Sequence, residues 1–204
     1  MTTRQQLAGL AATLPDAGLA VVLPFNRVYL AVTEAVEAAA AQRRFEDNEA
    51  VTTAVAHFAH YYLVALAAGP TGQAPPAWQA LFDLRAKAGR QQLRGVVLGV
   101  QAHINNDLPQ ALTELERPLT YADHATIGRS ILEHRPAIIA AGRLSPAQSL
   151  DPAAGWCAKQ FLLAWRRRAW LTYQALEAGR TNRASIEQAA GQTARRLERL
   201  PWPY

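Results

Sequence analysis

Apolar residues recur along this chain at intervals of three and four, the period of an amphipathic helix, and no stretch alternates as a half-buried strand does. A short opening helix is predicted over Gln5–Thr13, ending before Pro15. Phe25–Arg44 reads as a long helix with Asn26 at its N-cap. The stretch FEDNEA supplies the next cap at Asp47 or Asn48, with acidic residues that suit a helix N-terminus. That helix is expected to run to Ala68, where Gly69-Pro70 stops it. Pro76 opens a further helix to about Ala88, closed by Gly89. Another follows from Gln91 to Asn106, with a break at Pro109 and a last segment to Glu116.

Asp123 is read as the cap of a helix of roughly 18 residues that carries Pro136 inside it. Ser145-Pro146 and Asp151-Pro152 read as helix starts, the second opening a long amphipathic helix to Ala178 that Gly179 ends. Thr181 or Asn182 caps the last helix and Pro201 stops it. The expectation is an all-α single domain over residues 1–204, a helical bundle or orthogonal array of about seven to eight helices.

A length of 204 residues suits one domain with a sizeable core, and a charged fraction of 18% argues for a compact globule over disorder. The single cysteine, Cys157, permits no internal disulfide, which points to a reducing compartment; beside Trp156 it reads as a packing residue. Pro15 and Asp16 interrupt the first apolar stretch, so no secretory leader is expected. The longest uncharged segment, Ala50–Phe82, holds His57 and His60 and is broken by prolines, which fits a core helix better than a bilayer span. The expected location is cytoplasmic, with no membrane partner.

The net charge of +5 is uneven. Residues 1–142 hold 11 basic and 12 acidic side chains, whereas 143–204 hold 10 basic and 4 acidic. Such asymmetry can mark a face for nucleic acid, anionic lipid or an acidic substrate. Yet three adjacent helical positions such as Arg166-Arg167-Arg168 spread over about 200° of circumference. A solvated basic surface is the simpler reading, and nucleic acid is not the expected partner.

The segment GVQAHINNDLPQAL, 99–112, is where chemistry is expected. His103, Asn106 and Asp107 fall at i, i+3 and i+4, so they share one helix face, which Val96 and Val100 continue as an apolar stripe. Pro109 cannot donate to the carbonyl of Asn105, so that carbonyl needs another partner or the helix must bend. The same pattern also fits a capped helix end with His103 bonded locally. A second pair, His57 and His60, stands at i and i+3 with Tyr61 beside it, a spacing at which imidazoles can converge on one ion. The second helix presents Asn26, Thr33 and Glu37 on one face.

The stretches FNRVYLAVTEAV (25–36), HFAHYYLVAL (57–66), PPAWQALF (75–82), AHINNDLPQAL (102–112) and WCAKQFLLAWRRRAW (156–170) together resemble a bacterial family of uncharacterised proteins, domain-of-unknown-function family 5995. The resemblance implies an α-helical fold and marks His103, Asn105, Asn106 and Asp107 as signature polar residues. It implies no particular activity. The chain departs from the family pattern at Val55, where an acidic residue is expected, and at Tyr121, where a histidine is expected.

Three functions follow as expectations. The first is an enzyme acting on a small, largely apolar molecule: His103 as general acid or base, Asp107 and Asn106 in support, and Asn26, Tyr29, Glu37, Tyr61 and Asn105 lining the substrate site. The cofactor is left open between none and a divalent metal on His57, His60, His103 and Asp107. The second is a ligand-binding or scaffold protein in which HINND is a structural hydrogen-bond network. The third is nucleic-acid binding by the basic third. Trp202 and Tyr204 can cover the protein's own core or a second copy, which leaves a homo-oligomer open.

Overall fold

A computed structural model describes residues 1–84, 92–142 and 152–200, with side chains throughout except at 152–158. The chain is all-α, and no strand occurs among the described residues. Helix α1, Thr3–Thr13, starts at a capping box: the Thr2 hydroxyl accepts from the Gln5 amide, and the Gln5 side chain accepts from the Thr2 amide. A 3-10 turn, Ala20–Val22, leads into α2, Leu23–Ala41. Asn26 therefore lies inside α2, not at its cap. Its side chain is fully buried, donating to the Leu7 carbonyl at 2.9 Å and accepting from the Tyr62 hydroxyl at 3.1 Å. One amide thus joins α1, α2 and the third helix.

Helix α3, Asn48–Ala68, is capped by Asp47, whose carboxylate accepts from the amides of Glu49 and Ala50. The short α4, Pro76–Phe82, carries Trp78 into the core. Helix α5, Gln92–Ala102, passes without interruption through a π-turn, His103–Asp107, into α6, Leu108–Thr113. Helix α7, Tyr121–Glu133, is capped by Thr120 instead of Asp123. The Asp123 carboxylate instead accepts from the amides of Glu46 and Asp47, at 2.8 and 3.1 Å, and so pins the α2–α3 loop. The proline expected within that helix divides it, and α8, Arg135–Ala141, starts with Pro136 in its first turn. Helix α9 spans Pro152–Glu177, and α10, Arg183–Glu198, is capped by Asn182. The start expected at Ser145-Pro146, the stop at Gly89, the side chains of Trp156 and Cys157, and Trp202 and Tyr204 lie outside the described residues.

Most of the interior packs into two cores, with a smaller third cluster of Val28, Val96, Ile131 and Ile138 drawn from α2, α5, α7 and α8. Leu7, Phe25, Tyr62, Trp78 and Leu98 centre one core, where α1, α4 and α10 meet α2, α3 and α5. Val51, Ile104, Leu112 and Trp170 centre the other, where α3 and α6 meet α9. Two glycines set the approach distances. A Cβ at Gly99 of α5 would stand 2.4 Å from the Phe25 ring of α2, and one at Gly191 of α10 would stand 2.7 Å from Pro76 of α4. Gly99→Ala is therefore expected to force α2 and α5 apart at a cost of about 1–3 kcal/mol. In a thermal melt that is a fall of roughly 3–10 °C for a chain of this length. An unchanged midpoint would show that Phe25 swings aside freely.

Among the described residues one helical stretch, Asn48–Thr71, is long and apolar enough to cross a membrane by length and composition, with a mean hydropathy of 1.3. Ala50, Val51, Ala54, Ala59, Tyr62, Ala65 and Leu66 along it are buried against the rest of the chain.

Candidate functional site

The site begins with a backbone irregularity. Because Pro109 has no N–H to return to Asn105, the helix widens by one residue, and the Leu108 amide reaches back five positions to the His103 carbonyl. The expected break is thus a π-turn, flanked by side-chain repairs. The Gln110 amide donates to the Asn106 carbonyl at 2.9 Å, and the Asn105 amide donates to the Gln101 carbonyl at 3.3 Å.

Inside this turn His103, Asn106 and Asp107 do share one buried cluster, each 3% exposed or less. The Asp107 carboxylate meets three donors: His103 Nδ1 at 2.8 Å, Asn106 Nδ2 at 2.8 Å, and Trp78 Nε1 at 3.1 Å from each oxygen. Since Asp107 accepts at Nδ1, the imidazole proton sits there and Nε2 carries the bare lone pair. Nε2 is buried and has no partner among the described residues. The ring stands in an aromatic cage: Phe58 lies parallel to it at 3.4 Å, Tyr29 edge-on at 4.4 Å, and Phe25, Tyr62 and Trp78 within 6.0 Å. Burial pushes the His103 pKa down, against the opposing pull of Asp107, so the ring is neutral at physiological pH. Tyr29 is driven the other way: burial, then the Asp107 charge, then Tyr62 raise its phenol well above the usual range.

His103 and Tyr29 lie on the wall of a cavity of about 560 Å³ enclosed chiefly by α2, α3, α5, α7 and α9. Its lining is overwhelmingly aliphatic and aromatic, including Val28, Val96, Val100, Ile127 and Leu162. Phe161 and Leu200 also line it and are 58% and 52% exposed, which brings the cavity to the surface between α9 and the end of α10. Val55 faces the same space.

The other residues expected at the site are dispersed. Glu37 is on the surface, 3.5 Å from Arg4, beside a separate groove shared with His60 and Met1. Tyr61 donates to Glu114 at 2.7 Å and accepts from Arg183, in a surface cluster where His57 stands 3.7 Å from Glu114. Burial alone would raise the Glu114 carboxyl, but hydrogen bonds from Tyr61 and Arg183 bring it below its ordinary value. Asn26 and Asn105 are occupied with backbone carbonyls and are not on the cavity wall. His57, His60, His103 and Asp107 therefore do not converge, and no group of three or more His, Cys, Asp or Glu side chains suited to an ion occurs among the described residues.

Three site residues escaped the sequence. Trp78, in the first turn of α4, holds Asp107. His124 and Arg166 form a second polar station on the cavity wall. Arg166 belongs with Arg167 and Arg168 to the run expected to be solvated, yet it is 7% exposed while its two neighbours face solvent. It donates from Nη2 to the His124 carbonyl at 2.8 Å and approaches His124 Nδ1 at 3.3 Å. Nothing in the run distinguishes which of three arginines turns inward.

The fold and site together define an all-α protein with an internal apolar cavity and a carboxylate-held histidine in its wall. Residues 3–200 match the model of a family described as a family of unknown function, DUF5995, and the chain belongs to that family. No curated protein and no solved structure matches the chain.

Proposed function

We propose that this protein binds a small, largely apolar molecule in the cavity and acts on it by proton transfer at His103. The observation that carries this reading is the buried Nε2 lone pair on a ring whose other nitrogen is held by a buried carboxylate, in the wall of an apolar cavity. Asp107 fixes the tautomer and offsets the charge that develops when Nε2 takes a proton. Asn106 and Trp78 hold Asp107 in place. An apolar, water-poor surrounding strengthens each of these interactions. A volume of about 560 Å³ falls within the usual range of small-molecule sites.

A second reading is favoured by one fact: Asp107 has its acceptors filled by three buried donors, as in a network that only holds a widened helix. Two measurements separate the readings. Titration with the neutral fluorophore N-phenyl-1-naphthylamine is expected to show saturable binding that Ile127→Trp, whose larger ring intrudes on the cavity, weakens without lowering the melting temperature. Incubation with a solvent extract of cellular small molecules, followed by mass spectrometry, is expected to reveal compounds consumed by the wild type and left intact by His103→Gln. Equal consumption by both proteins, or none by either, would leave the structural reading in place.

A further inference from the structure

The cavity wall holds a positive charge that no carboxylate among the described residues meets. Arg166 reaches the interior from α9, and among the described residues no carboxylate pairs with it. The acids around it are committed elsewhere. Asp123, one residue before His124, is bound to the Glu46 and Asp47 amides. Glu133 on the same helix pairs with Arg44, and Asp107 with His103. A buried guanidinium costs several kcal/mol unless its charge is met, so proteins seldom keep one without a partner. Burial pulls its pKa only to about 10, so the group stays charged at neutral pH.

The surroundings are shaped to keep it there. Gly128, one turn along α7, leaves the room that the Arg166 side chain uses: a Cβ would come within 3.3 Å of Nε. The near approach of the guanidinium makes His124 Nδ1 the acceptor, which puts the ring proton on Nε2. That Nε2–H is itself buried without a partner among the described residues. Arg166 and His124 both line the apolar cavity. A guanidinium whose charge no described carboxylate meets and, beside it, a neutral donor without a described partner, on the wall of an aliphatic chamber, match one chemistry: a single anionic head on an apolar body.

We propose that the cavity's ligand is an amphiphilic acid, with a carboxylate or phosphate head bound by Arg166 and His124 and a hydrocarbon body filling the chamber. This rests on the cavity being a binding site, and it names the class of molecule that the site takes. The head group supplies the charge that Arg166 lacks, through charge-assisted hydrogen bonds of the kind guanidinium makes with planar oxyanions. The chain of the ligand replaces water against the valines, isoleucines and leucines of the wall.

The test compares cis-parinaric acid with its methyl ester by fluorescence titration at pH 8, on wild type, Arg166→Met and Arg166→Lys. Wild type is expected to bind the acid at least about tenfold more tightly than the ester, as one charge-assisted hydrogen bond allows. Arg166→Met is expected to lose that preference while binding the ester within about twofold of wild type, and Arg166→Lys to retain part of it. The Met variant removes a buried charge, so its melting temperature is expected to hold or rise. Competition with dodecanoate, dodecyl phosphate and dodecylamine then tells which head is taken. Displacement by either anion supports the assignment, and equal displacement by the amine overturns it. Equal affinity of wild type for acid and ester, or an unchanged acid affinity in Arg166→Met, would also overturn it while leaving the apolar site intact. If neither probe binds, the cavity reading falls and this assignment with it.

Discussion

Asp107→Ala is expected to unfold roughly 10 °C or more below the wild type. The carboxylate is 1% exposed and accepts from His103, Asn106 and Trp78. Removing it leaves three buried donors unmet, on a helix already widened by one residue. Each unmet donor costs about 1–3 kcal/mol, and breaking a buried charged cluster from one side costs about 3–5 kcal/mol in total. At about 2–4 °C per kcal/mol for a chain of this length, the melting temperature registers it clearly. Asp107→Asn is expected to fall nearly as far, since its amide turns a donor toward donors. A midpoint within two or three degrees of wild type would mean that water replaces the carboxylate, and that the site is more open than its burial indicates.

The second large effect is on acid stability. His124 is nearly buried, and burial, with the Arg166 charge behind it, lowers its pKa from 6.5 to about 3. In the unfolded chain the same ring takes up a proton below about 6.5. Between pH 6.5 and 3 the unfolded state thus binds more protons than the folded one, and stability falls as pH falls. Above 6.5 neither state is protonated and the effect is absent. At pH 4.5 the share from His124 is on the order of 2–3 kcal/mol, from 1.36 kcal/mol for each pKa unit traversed. His103, lowered in the same direction by burial, adds to it. Urea denaturation at pH 7.5 and 4.5 is expected to show a smaller loss in His124→Gln than in wild type. Equal losses would place the acid sensitivity on His103 and the paired carboxylates instead.

These two effects sit on residues of very different visibility. Asp107 was legible: its spacing from His103 and Asn106 places them on one face of any helix, and Pro109 announces that the backbone must deviate nearby. Arg166 was not. In a run of three arginines the helical spacing of Arg166 with Leu162, Ala169 and Tyr173 is hidden by apolar residues on the other faces of the helix, and the room its side chain uses lies beside Gly128 on another helix. Glu37, Tyr61, His57 and His60 show the reverse error. Helical spacing told which of them share a face but not what that face meets, and the assembled chain turns these toward solvent or toward Arg4, Glu114 and Arg183.

The helices themselves were determined by the sequence, because their causes are local. Asp47 and Asn182 cap by bonding amides two or three residues on, Gly69-Pro70 stops α3, and the apolar period holds along each segment. Even the irregularity at Pro109 is local, since a missing N–H is a property of one residue. What only the tertiary structure decided is where the charges went. Asp123 left the cap it was expected to make for the α2–α3 loop, Trp78 came across from α4 to hold Asp107, and Arg166 turned into an apolar chamber where no acid among the described residues meets it. Contacts between residues dozens of positions apart depend on how closely helices approach, as at Gly99 and Gly191, and a helical period read along one segment contains no term for the distance to the next.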